Sequence, residues 1–113
     1  MVAEKVETLV TLGMANTRMK DYFDLWLLQQ EGGLEPVQLQ SALVATFTRR
    51  ARPMPDRLPT GLSDDFANDA QKQRQWQAFL KKNQLEPVEL SQVITSLRAW
   101  LLPMLLDSSQ RTQ

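Results

Sequence analysis

Apolar residues in this 113-residue sequence return every three or four positions, and that spacing places them on one face of an α-helix rather than of a strand. Val2, Val6, Leu9, Val10 and Met14 make the first stripe, which predicts a helix over about residues 2–14, with Gly13 weakening its end. A second helix runs from Lys20 to Gln30. It starts polar and turns apolar on all sides at Leu25, Trp26, Leu27 and Leu28, the pattern of a buried central helix, and Glu31-Gly32-Gly33 ends it. Leu39, Leu43, Val44 and Phe47 continue the pattern to about Arg50, behind a Pro36 that suits the first turn because its missing N–H costs nothing there. Leu and Met far outnumber Val and Ile, a bias toward side chains that keep their rotamer freedom in helices.

Pro53, Pro55, Pro59 and Gly61 then crowd residues 51–62, too many helix breakers for a regular element. Beyond them, Ser63 suits an N-cap of a short turn through Phe66, and Asn68 or Asp69 that of a helix carrying Trp76, Phe79 and Leu80, with Asn83 as its stop. The last helix opens at Pro87 and carries Leu90, Val93, Ile94, Leu97, Leu101 and Leu105, with Pro103 bending or ending it. The expectation is an all-α fold, a compact bundle of about five helices with a Pro/Arg-rich loop between the third and fourth. Residues 1–107 form one domain and 108–113 a polar tail. LEPVQL at 34–39 and LEPVEL at 85–90 look alike, but the likeness fades after six residues and is read as shared helix-start chemistry, not a repeat. Trp26, Trp76 and Trp100 lie on or beside apolar stripes and belong to the core.

With no Cys and no His, the chain has no disulfide, no Cys/His zinc site, no thiol nucleophile and no imidazole base. Thirteen basic residues balance thirteen acidic ones, so electrostatic recognition has to be local. Charges throughout the first twenty residues leave no uninterrupted apolar stretch for a signal peptide, and the longest apolar run, 99–106, is far below the about 20 residues of a membrane span. The expected location is the cytoplasm, with no membrane contact.

Arg18, Lys20, Asp21 and Asp24 make the densest polar cluster and cover about 160° of one helix side. Arg18 with Asp21, and Lys20 with Asp24, are spaced for ion pairs, which on an open surface would be ordinary solvated contacts. The apolar turn that follows implies partial enclosure, and a hairpin with the first helix would bring Lys5 to the carboxylates. Enclosed carboxylates so spaced hold a metal or position a phosphate-bearing ligand. A second cluster, Arg49, Arg50, Arg52 and Arg57, fits either phosphate clamping or pairing with acids of neighbouring helices. Lys81 and Lys82 suit a helix C-terminus.

VAEK at 2–5 followed by GMANTRMKDYFDLWLL at 13–28 resembles the nucleotidyltransferase toxins of the AbiEii/AbiGii family. The similarity continues through ATFTRRARPMP at 45–55, GLSDDFAND at 61–69, QWQAFLKKNQL at 75–85 and the terminal SLRAWLLPML, and it rests on their order and spacing. The family pairs a catalytic core, with a Gly-Ser turn and an Asp-x-Asp pair for Mg and nucleotide phosphates, with a helical C-terminal half. It serves as the toxin of abortive-infection or type IV toxin-antitoxin systems, and some members modify tRNA ends. This sequence resembles the helical half alone. The resemblance makes Lys5 and Asp21 or Asp24 the catalytic residues, with Lys5, Arg18 and Lys20 meeting phosphates; Arg49 and Arg50 join the phosphate set from the arginine cluster.

No metal is expected on this chain alone, while Mg and a nucleoside triphosphate are implied for the complete enzyme. The expectation is a truncated or split toxin, inactive by itself, whose partner is a separately encoded catalytic half or an antitoxin. The alternative is a non-catalytic helical module that binds a partner protein or forms a homodimer. An RNA acceptor stays open.

Overall fold

The computed structural model describes residues 2–110 and, among them, helices without strands. The helices are α1 (Val2–Leu12), α2 (Met19–Glu31), α3 (Pro36–Arg49), α4 (Asp64–Asn68), α5 (Ala70–Lys82) and α6 (Leu90–Gln110). Five are long and α4 is a single short turn, so the expected all-α bundle with a Pro/Arg-rich loop between α3 and α4 describes the architecture. None of the described helices is long and apolar enough to cross a membrane.

α6 is the central element and packs against α2, α3 and α4. Its stripe of Leu90, Val93, Ile94, Leu97, Leu101 and Leu105 is wholly buried, the inward face that three- and four-residue spacing dictates. α3 contributes Leu39, Leu43 and Phe47, α1 contributes Ala3, Val6 and Leu9, and α5 contributes Trp76 and Leu80. Of the three tryptophans, Trp76 is fully buried, while Trp26 and Trp100 pack partly exposed against the core.

Several sequence expectations are corrected. α1 stops at Leu12, because Gly13 takes a left-handed φ of 53° and opens a 3-10 turn at Gly13–Ala15; Met14 is consequently exposed. α2 is not buried all round: it turns Met19, Tyr22 and Leu25 inward and leaves Leu27 exposed. The proline-rich segment ends in a regular element after all, a 3-10 turn at Thr60–Leu62 whose Gly61 and Leu62 are buried.

Pro87 does not open the last helix. The Trp76 indole N–H donates to the Val88 carbonyl at 2.7 Å, and the helix begins at Leu90, with Glu89 accepting from the Gln92 and Val93 N–H groups. Pro103 does not end that helix either, since α6 continues to Gln110. The beginning of the expected polar tail is therefore helical, and residues 111–113 lie outside the described residues.

Helix starts follow the expected chemistry where a side chain can reach. Ser63 Oγ accepts from the Phe66 N–H at 3.3 Å and Asp69 Oδ2 from the Lys72 N–H at 2.9 Å. α2 has no side-chain cap on Arg18. Instead, the buried Asn16 just ahead of it accepts the Arg18 N–H through Oδ1 at 2.9 Å.

Candidate active site

The polar cluster sits where the 13–18 connection delivers the first turn of α2 against α1. Lys5 Nζ lies 3.0 Å from Asp21 Oδ1 and 3.2 Å from Asp24 Oδ2, so one ammonium bridges both carboxylates. Arg18 Nε reaches Asp21 Oδ2 at 3.3 Å, and Lys20 Nζ reaches Asp24 Oδ2 at 2.7 Å. The structure thus brings Lys5, Arg18, Lys20, Asp21 and Asp24 into one network. Its two carboxylates differ in setting: the Asp21 side chain is 7% exposed and that of Asp24 26%.

Arg49 and Arg50, at the end of α3, reach back over α1. Arg49 pairs with Glu4 at 3.0 Å, while Arg50 pairs with the buried Glu7, whose other oxygen accepts from Thr11. Arg50 also helps line a concavity of about 490 Å³ together with Glu4, Lys5, Thr8, Arg18 and Asp21, a size that suits a small ligand. Asp24 and Lys20 are not in that lining. Arg57 stands apart, paired with the exposed Asp56 at 3.6 Å.

Burial pulls the Lys5 ammonium down, but Asp21 and Asp24 outweigh it and its pKa is raised above the ordinary lysine value. Burial pushes Asp24 up, yet Lys20 and Lys5 hold it below the ordinary aspartate value. Glu7 is likewise pushed up by burial and held lower on balance by Thr11 and Arg50. A carboxylate with a depressed folded-state pKa adds stability that is present above its unfolded value and lost as pH falls through the folded one; a lysine with a raised pKa adds stability lost only as pH rises through the folded value. The protein is therefore expected to lose stability below about pH 4 and again above about pH 10, with Glu7→Gln flattening the acid limb. Urea midpoints measured across pH check this; an acid limb unchanged in Glu7→Gln would show that Glu7 carries none of it.

The donor set does not suit a divalent cation as it stands. Two carboxylates already engaged by three cations leave little negative charge for a metal, and among the described residues no group of three or more acidic side chains converges as a metal site.

Sequence reasoning missed Lys72 and Glu7, both buried. Lys72 precedes Trp76 by four positions, which puts it on the inward face of α5, and that spacing was the available signal. Glu7 follows Val6 and precedes Leu9 inside the α1 stripe, and nothing in the local sequence marks it as paired with an arginine 43 positions later.

No curated protein and no solved structure gives a match to this chain. The sequence model described as nucleotidyl transferase AbiEii toxin, type IV TA system, matches residues 1–101. Since that stretch contains α1 to α5, the α1–α2 charge network and the first half of α6, the chain belongs to the AbiEii nucleotidyl transferase toxin family of type IV toxin-antitoxin systems.

Proposed function

We propose that the α1–α2 network is one wall of a nucleotidyltransferase site, and that the observation carrying this reading is the Lys5 ammonium held beside Asp21 in a concavity of about 490 Å³. Lys5, Arg18 and Arg50 face that space and supply positive charge for nucleotide phosphates, with Arg49 held one position away on Glu4. Asp21 lines the same space and takes the proton of an acceptor hydroxyl. Asp24 lies outside it, and its part is to orient Lys5 and Lys20.

The chain holds neither a Gly-Ser turn nor an Asp-x-Asp pair, so these residues alone do not complete the chemistry. In the abortive-infection setting of the family they act with a catalytic core or under an antitoxin. The test is direct. Calorimetry of the purified chain with a nucleoside triphosphate and magnesium is expected to show weak binding that Lys5→Met reduces about tenfold, equivalent to roughly 1.4 kcal/mol. Incubation with labelled nucleotide and tRNA is expected to show no transfer, and robust transfer by the isolated chain sinks the claim that it is incomplete. Unchanged binding in Lys5→Met overturns the phosphate role.

A second reading, a docking module for a partner chain or a second copy, draws on the outer face of α3, where Val37 is 69% and Val44 39% exposed. Sedimentation across a range of concentrations tests it, and a strict monomer removes the homodimer.

A further inference from the structure

Lys72 is the most unusually placed cation in the chain. Its residue is 4% exposed, yet no carboxylate forms an ion pair with it among the described residues. The ammonium donates to the main-chain carbonyl of Asn16 at 2.8 Å and to Gln75 Oε1 at 3.4 Å, and it lies 5.4 Å from the centre of the Phe66 ring. An enclosed ammonium with no counter-charge is a costly way to fill space, because it gives up hydration that neutral acceptors and a ring only partly restore. Methionine fills nearly the same volume without that loss. The position needs a reason beyond packing.

Its first partner supplies one. Asn16 is fully buried and is held twice: its carbonyl by Lys72, while its own Oδ1 holds the Arg18 N–H at 2.9 Å. Arg18 stands immediately before α2, which has no other side-chain cap, and Asp21 is in the first turn that follows. The direction in which α2 leaves this turn sets where Asp21 and Asp24 stand relative to Lys5, which belongs to α1. A chain of contacts thus runs from α5 through Lys72 and Asn16 to Arg18 and the carboxylates. Without the ammonium, the Asn16 carbonyl would be buried with no donor from α5, and the connection would lose its hydrogen bond to that helix.

We propose that Lys72 is a positioning residue for the candidate site: by holding the Asn16 carbonyl it fixes the start of α2 and so the placement of Asp21 against Lys5. The catalytic meaning of that placement rests on the reading given under Proposed function, but the placement itself is measured without any nucleotide.

The experiment compares Lys72→Met with Lys72→Arg in the full chain, using lysine side-chain NMR to titrate Lys5. A general loss of stability lowers the unfolding midpoint without changing the titration of Lys5 in the molecules that stay folded. Loss of positioning changes that titration, because the Lys5 ammonium owes its raised pKa to Asp21 and Asp24. In Lys72→Met, Lys5 is expected to titrate about half a pH unit lower than in the parent, a roughly threefold change in its ionisation constant. Lys72→Arg, which keeps a charged donor of similar reach, is expected to restore the parent value. Where Lys72→Met does not fold, Lys72→Gln, uncharged and one bond shorter, is expected to give the same lowered titration. An unchanged Lys5 titration in a folded Lys72→Met or Lys72→Gln overturns the proposal. A lowered titration alongside absent nucleotide binding leaves the positioning role standing and removes the nucleotide reading, so the two failures are told apart.

Discussion

Gly61→Ala is expected to destabilise the protein by about 3 kcal/mol, the upper end of what overpacking a tight contact costs. An added Cβ would stand 2.5 Å from the Leu9 carbonyl oxygen, 3.1 Å from Leu9 Cδ2 and 3.1 Å from the Tyr22 hydroxyl. The first of these is backbone inside α1, so relief demands a shift of the helix and not the swing of a side chain. The same glycine accepts the Tyr22 hydroxyl at 2.8 Å through its own carbonyl, and any displacement that opens room for the methyl also strains that bond. Gly32→Ala is the control. Its φ of 72° with ψ of −168° makes the substitution a backbone problem alone, since nothing lies within 4 Å of the new atom, and it is expected to cost about 1–2 kcal/mol. Urea unfolding of both variants decides the matter: a Gly61→Ala cost no larger than that of Gly32→Ala would mean α1 yields to the methyl.

Lys5→Met is expected to cost about 3 kcal/mol, because it leaves Asp21, at 7% exposure, with the largely exposed Arg18, 3.3 Å away, as its remaining cation. Methionine keeps the alkyl stem in place, so the loss reports the charge and not the packing. Asp21→Asn leaves Lys5 with Asp24 and is expected to cost less, about 1–2 kcal/mol. The double variant is expected to recover at least 1–2 kcal/mol relative to the sum, the coupling of a pair in contact within one network. A small, additive pattern, each change below about 1 kcal/mol, is what an open surface pair gives, and it would contradict the enclosed network. Lys20→Met is the internal comparison: its side chain is 73% exposed, and its loss is expected to stay below about 1 kcal/mol.

How far the sequence carried depends on whether the deciding contacts were local. The apolar stripe of α6, the caps at Ser63 and Asp69, the stop at Asn83 and the spacing of Arg18 with Asp21 and of Lys20 with Asp24 all lie within a few residues of their causes, and each is present in the structure. The LEPV pair shows the limit. Pro36 starts α3, whereas Pro87 lies ahead of the last helix, outside any helix, where the Trp76 indole takes the carbonyl of the next residue. Identical local chemistry was settled by a partner twelve positions away. Leu25 to Leu28 likewise overstated the burial of α2, since no helix covers Leu27. In the candidate site, the placement of Lys5 beside the aspartates required the first turn of α2 to face α1. That followed from the resemblance and a supposed hairpin; of the contacts that tie the surrounding elements together, Lys72 was marked only by its spacing from Trp76, and the Glu7–Arg50 pair by nothing local.

Two of the three donors of the Lys5 ammonium are engaged by Asp21 and Asp24, and that has a thermodynamic consequence for anything that binds there. An arriving phosphate does not meet a vacant cation. It meets an ammonium whose charge two resident carboxylates already offset, so the affinity measured is lower than a free ammonium would give by the repulsion of those carboxylates. Weakening one resident carboxylate tightens an anion's hold on the same ammonium, and Asp24→Asn becomes a substitution that raises apparent affinity by subtraction.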